Sequence, residues 1–446
     1  MADAWGERMP RSLGLAHAVA VSIGITIGSG IFRVPATVAG LLPAPGAIML
    51  CWVLGGVIAL CGALTVAELA AALPRSGGMF AYLLEGFGPL PAFLFGWAEL
   101  VVVRAAALGA IATVFAEYLG HFVPLSAQRV RVAAAVLIGI VGIMNYLGVR
   151  RAAAVLSATT YAKYVAVTAL ALLAYSATGG TVAHLSPVWS APVSLSLLAT
   201  ALIPVMWTYD GWADLAAIGG EVSDPQRTLP LALILGCACV TAVYLVLNLG
   251  FMYALSLPEL SGSKLIAATV AGRIPLLAGF GAALIASLVL VSTFSGLNAS
   301  LMVGARIFFA MGDRGVLLRG LSRVSPRFKT PSAAIWLCTA LGVVYVLEND
   351  FAGLAAKFIL GIWPFYALTV AAVFVLRRRR PELPRPYRVW GYPLVPAVFL
   401  IASVGMVVNA LLTDPVNTGV TFTIIFAGLP VYWLRARLQR AGVSFV

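Results

Sequence analysis

Apolar residues in this chain come in long blocks, separated by short polar or basic segments. The blocks run over 14–41, 46–73, 90–119, 131–149, 153–178, 194–219, 229–256, 275–310, 331–348, 353–376, 392–412 and 417–434. A helix needs about 20 mostly apolar residues to cross the hydrocarbon of a bilayer, and the blocks are of that order. The pattern predicts an all-α membrane protein with about twelve transmembrane helices.

Two blocks carry their own interruption. The first contains IGITIGSGIFRVPA at 23–36, with Gly24, Gly28 and Gly30 where a spanning helix should be continuous. Glycine costs roughly 1 kcal/mol against alanine inside a helix. In lipid, an unwound backbone loses several kcal/mol unless its N–H and C=O groups find partners. The sixth block repeats the arrangement. Within ATALIPVMWTYDGWADLAAIGGE, at 199–221, the run Thr208, Tyr209, Asp210, Gly211 and Trp212 puts polar groups and a glycine at membrane depth. Each interruption opens a set of five blocks. Paired broken spans at matching positions point to a transporter site near the bilayer midplane. They predict one transporter domain made of two halves, 14–178 and 194–376, with two helices appended over 392–434. A break frees N–H donors on one half-helix and C=O acceptors on the other, and these ends carry opposite partial charge. An amino acid zwitterion needs both. A second explanation of the glycines stays open at this point, because small residues also pack helix interfaces in membranes.

Composition supports the membrane setting. The chain is 61% hydrophobic and 10% charged, whereas a soluble domain is nearer 25% charged. The net charge is +13, and its distribution orients the chain. With the N-terminus inside, most of the 29 basic residues face the same side, while Arg129, Arg131, Lys264 and Arg273 face the other. The positive-inside rule then puts both termini in the cytoplasm. The run LRRRRPELPRPYR reads as a topology determinant facing anionic lipid. No aromatic platform or soluble domain accompanies it, so nucleic acid is not an expected partner. The N-terminal MADAWGERMPRS is too acidic and too weakly apolar for a cleaved signal peptide, so the first block is expected to be a retained span. Cys51, Cys61, Cys237, Cys239 and Cys338 all fall within apolar blocks and read as small apolar residues. His17, His121 and His184 are scattered. No nucleophile triad or metal-ligand spacing can be assembled, so neither an enzyme, a metal site nor a cofactor is expected.

From GSGIF onward the chain resembles the amino acid–polyamine–organocation transporter superfamily. It looks most like the L-type amino acid transporter branch and its bacterial serine/threonine exchangers. The resemblance rests on GSGIF at 28–32, AELAAALPRSGGMFAYL at 67–83 and YDGWADLAAIGGEVSDPQRTLPLAL at 209–233. NASLMVGARIFFAMGDRG at 298–315 and RRPELPRPYRVWGYPLVP at 379–396 continue it in the family's order. It implies a 5+5 inverted-repeat fold with discontinuous helices 1 and 6, and sodium-independent exchange of amino acids. By family pattern the substrate carboxylate meets the backbone N–H groups of Ser29, Gly30 and Ile31. The ammonium meets carbonyls near Thr26 and Ile27, and near Trp207, Thr208 and Asp210. Trp207 holds the aromatic position that closes over the substrate. Val103, Ile111, Leu360 and Trp363 align with positions lining the side-chain pocket. Animal members join a single-span partner through a cysteine in the loop after span 3; here that loop, LGHFVPLSAQRVR, has none, so no disulfide-linked heavy chain is expected.

Intramembrane polar residues complete the reading. Lys163 lies mid-block, where a lysine costs about 2.5 kcal/mol or more and needs a partner or water. In sodium-coupled relatives of this fold a cation sits between helices 1, 5 and 8. The Lys163 ammonium would take that place, donating to carbonyls near Gly24 and Ile25 and to Ser292 or Ser295; snorkelling is the alternative. Asp210 either caps the second half of helix 6 or meets the substrate ammonium. Tyr244 either links helices 1 and 6, as in relatives, or simply packs. Glu68, Glu99, Arg104 and Glu117 serve structural pairing or coupling, although Glu99 and Arg104, five apart, exceed ordinary helical pairing distance. The resulting expectation is exchange of small neutral L-amino acids across a bacterial cytoplasmic membrane. Proton-coupled symport and a transporter-like amino acid sensor are the rivals.

Overall fold

The computed structural model describes residues 13–74, 78–148, 164–190, 192–277, 279–313, 319–328 and 330–440. The first expected span divides into α1 (Leu15–Thr26), a 3₁₀ turn (Gly30–Phe32) and α2 (Val34–Leu41). The long α3 (Pro45–Ala72) follows, then the short α4 (Gly78–Phe87). The third span is α5 (Pro89–Ala98) and α6 (Arg104–Leu119), joined by a π-helical turn over Glu99–Val103. Next come α7 (Ala127–Leu147) and α8 (Tyr164–Ser176). The sixth span divides into α9 (Leu195–Tyr209) and a 3₁₀ segment (Trp212–Glu221). Then follow α10 (Pro225–Ala254), the short α11 (Leu257–Gly262) and α12 (Ile266–Ala271), α13 (Gly281–Asp313), α14 (Ser332–Glu348) and α15 (Phe351–Arg379). The chain closes with α16 (Leu394–Thr413), α17 (Pro415–Phe426) and α18 (Gly428–Arg440).

Among the described residues, 8 helical stretches are long and apolar enough to cross a membrane. The other expected blocks hold the shorter apolar helices α1, α8, α9 and α14. Two of these, α1 and α9, are short because the interrupted blocks do break. Local chemistry sets many helix starts. Proline opens α3 and α10, where its missing N–H costs nothing. The Ser194 side chain accepts from Leu197 N–H at 3.1 Å to start α9, and Asp350 accepts from Gly353 N–H at 2.9 Å to start α15.

Two groups of helices frame the centre. One packs α1, α3, α9 and α10 together; the other packs α6, α7, α13 and α14. α15 runs between them, touching α6 on one side and α9 on the other. Large apolar side chains also cover the outside: Ile401, Leu412 and Val416 are all more than 70% exposed. Such a surface suits lipid and would be costly in water.

Three acidic residues inside the spans, Glu68, Glu99 and Glu117, form ion pairs. Glu68, almost fully buried on α3, accepts from Arg377 Nε at 2.8 Å and Nη2 at 2.6 Å. Glu117 takes Arg33 Nε at 2.9 Å. Glu99 and Arg104 pair as well, against the spacing argument. The π turn between them is the reason: its i→i+5 repeat stacks residues five apart, as an α-helix stacks those four apart. Arg104 reaches on to Ser300 Oγ of α13 at 3.0 Å.

Candidate functional site

The first break begins where α1 runs out of acceptable geometry. Thr26 Oγ1 turns back to Ser22 O at 2.9 Å, and Gly28 N–H bonds Thr26 O at 2.8 Å instead of continuing the helix. The helix restarts at Gly30. Among the described residues the N–H groups of Ser29, Gly30 and Ile31 have no hydrogen-bond acceptor. They are the orphan donors at the start of a helix, and they carry the positive end of its dipole. The Ser29 hydroxyl is buried beside them without a partner.

The second break lies against the first. α9 stops at Tyr209, Asp210 is extended, and Gly211 has φ +109°, a conformation that strains any L side chain. A Cβ on Gly211 would sit 2.8 Å from Ile25 Cγ2 and 3.1 Å from Thr26 N. A Cβ on Gly30 would sit 2.8 Å from Thr208 Oγ1 and 3.0 Å from Trp207 Cδ1. Each break thus uses a glycine to seat the other. Gly28 differs, since a Cβ there would meet only Thr26 O, at 3.9 Å. The space beside Gly28 is open.

Tyr244 of α10 ties the breaks together. Its hydroxyl lies 3.1 Å from Thr26 O and 3.1 Å from Thr208 O. It has one proton to share between the two carbonyls, of which Thr208 O has no other donor among the described residues. Its ring is held by Trp52 and Tyr209, at centroid distances of 5.9 and 5.3 Å. The lone pairs of Thr26 O are already taken by Tyr244 and Gly28, and Thr208 O is engaged by Tyr244. Ile27 O, like Ile25 O and Gly28 O, has no donor among the described residues at the first break.

Trp207 sits over the site beneath an aromatic roof from α15. Its ring meets Phe358 edge-on at 4.7 Å and Phe351 at 6.5 Å. Arg33, one residue beyond the first 3₁₀ turn, lies over Phe351 at 5.6 Å and also donates to Thr37 Oγ1 at 3.0 Å. Through Arg33–Glu117 and a Tyr118 hydroxyl bond to Phe32 O at 3.0 Å, the second half of the broken helix is fastened to α6. Phe351 and Phe358 escaped the sequence reading. Their seven-residue spacing, two helical turns on one face, was the available signal.

Asp210 does not cap the following segment, whose cap position is Gly211 with no side-chain bond. Its carboxylate instead accepts from the Tyr366 hydroxyl of α15 at 2.7 Å. Val103 faces α15, close to Gly361. Ile111 lies two turns from Tyr118, on the α6 face that meets Phe32. Trp363 meets Tyr366, the partner of Asp210, at 6.2 Å. At 3.6 residues per turn Leu360 points about 200° from Phe358, the residue that meets Trp207. Trp363 stacks on Phe399 of α16 at 5.1 Å. Ser292 and Ser295 share one face of α13. Lys163 lies outside the described residues. Among the described residues no group of three His, Cys, Asp or Glu side chains is placed to hold a metal.

The site therefore offers N–H donors, open carbonyls, a carboxylate on a tyrosine and an aromatic roof, where two broken helices meet. A profile of the amino acid permease family matches residues 13–434 of the chain. The human b(0,+)-type amino acid transporter 1 is 32% identical over 96% of this chain and 88% of its own length. The serine/threonine exchanger SteT of Bacillus subtilis is 30% identical over 95% of this chain and 97% of its own. The human cystine/glutamate transporter is 31% identical over 96% and 85%.

Proposed function

The chain belongs to the amino acid permease family, within the amino acid–polyamine–organocation superfamily, and is a membrane transporter of amino acids rather than an enzyme; on that premise we propose that it exchanges small neutral L-amino acids without sodium. The observation that carries this reading is the facing pair of breaks, with unbonded N–H groups at 29–31 opposite the α9 end and Tyr244 joining the two. The substrate carboxylate takes the N–H groups of Ser29, Gly30 and Ile31. The ammonium takes Ile27 O and the backbone near Trp207. The side chain points to the open space beside Gly28, toward Val103 and Ile111, with Trp207 as the cover. The membrane is a bacterial cytoplasmic one, with the arginine-rich ends of α15 and α18 inside. The protein works without a disulfide-linked heavy chain.

Coupling falls to Lys163. Its ammonium replaces the cation of sodium-dependent relatives and holds α1 against the fifth and eighth spans. Lys163→Ala is expected to insert normally, because losing a mid-membrane charge favours insertion. Turnover should fall more than affinity, and sodium should not restore it, since alanine supplies no oxygen ligand. Wild-type turnover in the variant would refute the role.

The Asp210–Tyr366 bond beside the break motivates the second reading, proton-coupled symport. The deciding experiment is uptake into proteoliposomes. Vesicles preloaded with serine are offered each of the twenty amino acids, with and without sodium. Empty vesicles receive a pH gradient. Exchange predicts uptake only into loaded vesicles, indifferent to sodium. Gradient-driven uptake into empty vesicles favours symport, and a sodium requirement overturns both.

A further inference from the structure

The loop between α15 and α16 is folded back on the helix that precedes it. Glu68 is the cause. Its carboxylate holds Arg377 at the end of α15 and also accepts from Val389 N–H at 2.8 Å, with Arg385 Nε at 3.6 Å. Two residues separated by twelve positions are thereby pinned to one buried side chain. Tyr392 completes the fold-back: the Arg377 guanidinium lies 3.8 Å from its ring centroid, and Phe374 packs on it at 5.1 Å. Arg380 is tied separately to Glu85 of α4 at 2.7 Å.

These contacts divide the arginines of the motif into two sets. Arg377, Arg380 and Arg385 are consumed by carboxylates or backbone carbonyls. Arg378, Arg379 and Arg388 are exposed, and among the described residues no carboxylate pairs with them. The Val389 bond to Glu68 returns the chain just after Arg388 to the carboxylate that also holds Arg377, the residue before Arg378 and Arg379. Beyond Arg388, Trp390 is 67% exposed and Leu394 72% exposed. Unpaired guanidinium groups beside an exposed tryptophan, at the end of a spanning helix, match the headgroup layer of a membrane in both charge and polarity. Tryptophan favours that layer, and guanidinium binds phosphate with paired N–H donors.

We propose that the folded-back 377–392 segment is a docking platform for anionic phospholipid headgroups, with Arg378, Arg379 and Arg388 as the phosphate-binding groups and Trp390 as the interfacial anchor. The proposal uses the membrane setting of the preceding section but not the substrate or the exchange mechanism. The platform is rigid because its supporting bonds are buried, so binding does not have to order a loose loop.

The test measures lipid retention and needs no transport. Purified full-length protein is mixed in detergent with phosphatidylglycerol or phosphatidylcholine, and bound lipid is counted by native mass spectrometry. Wild type should retain phosphatidylglycerol preferentially. The triple variant Arg378→Gln, Arg379→Gln, Arg388→Gln should retain at least ~10-fold less. A control carrying Arg227→Gln, Arg323→Gln and Arg327→Gln loses the same charge elsewhere and should behave as wild type. If the triple variant does not fold, the single Arg388→Gln on the loop should still lower retention. Excess inorganic phosphate should not displace the lipid, because the Trp390 anchor contributes only to a lipid. Equal retention of the two lipids by wild type, equal loss in the control, or displacement by free phosphate would overturn the proposal.

Discussion

Replacing Tyr244 by phenylalanine removes one oxygen and leaves the ring. The ring packing on Trp52 and Tyr209, at 5.9 and 5.3 Å, does not involve the hydroxyl. The variant should therefore insert and fold. What it loses is the shared proton between Thr26 O and Thr208 O, each 3.1 Å away. Thr26 O keeps its bond from Gly28 N–H, at 2.8 Å. Thr208 O stands at the end of α9, where the break removes the next turn, and is left without a donor. A buried acceptor without a partner costs about 1–3 kcal/mol. That shifts the equilibrium away from the joined arrangement of the breaks by roughly 5- to 150-fold. Substrate is expected to bind where the two breaks face each other, so its apparent affinity should weaken within that range. The assay is radiolabelled serine exchange in proteoliposomes, with apparent affinity and maximal rate compared for wild type and variant at matched protein content. Wild-type values for both, in a correctly inserted Tyr244→Phe protein, would refute the view that this hydroxyl holds the site together.

Other outcomes follow from the same geometry. Gly30→Ala should lower the melting temperature of the substrate-free protein, because its Cβ would press on Thr208 Oγ1 at 2.8 Å, whereas Gly28→Ala should melt like wild type and bind substrate less well; normal binding by Gly28→Ala would remove the open space beside Gly28 from the ligand's path. Arg33→Gln and Glu117→Gln should be coupled in a double-mutant cycle of melting midpoints by about 0.5 kcal/mol or more, since their half-buried 2.9 Å bond fastens the second half of the first broken helix; additive effects would mean that the pair holds nothing. At the short helix α11, Arg273 and the Ser256 cap pull the Glu259 carboxyl from 4.5 down to about 2. Its stabilising effect is fully present above the ordinary carboxylate range and is lost as pH falls toward the lowered value. The contribution is small because the pair is exposed, and melting curves of wild type and Glu259→Gln should converge as the medium is acidified; a constant difference would show that the charge is not responsible.

Much of this was legible in the sequence because lipid imposes simple rules. A hydrocarbon solvent accepts only long apolar helices, so block length alone located the 8 helices long and apolar enough to cross it among the described residues. It penalises broken helices, so glycines at 28–30 and at 211 had to mean either packing or a site. Charge asymmetry carries an expectation for which side each loop faces, without any tertiary information. The order of motifs identified the superfamily, because short patterns spread along a whole chain rarely recur together by chance.

Tertiary structure decided what the local pattern leaves open. Whether Gly30 serves packing or ligand depends on what lies across from it, and Thr208 and Trp207 lie there. Tyr244 was ambiguous until two carbonyls from different helices converged on its hydroxyl. Leu360 and Trp363 were assigned by spacing from distant motifs, and a helix turns about 100° per residue, so the neighbours that Trp363 meets, Tyr366 and Phe399, come from packing. Glu99 and Arg104 were separated by an α-helical rule that a π turn suspends. In each case the sequence carries the chemistry of a residue and the period of its helix, while the partner comes from another helix far along the chain, and only packing selects it.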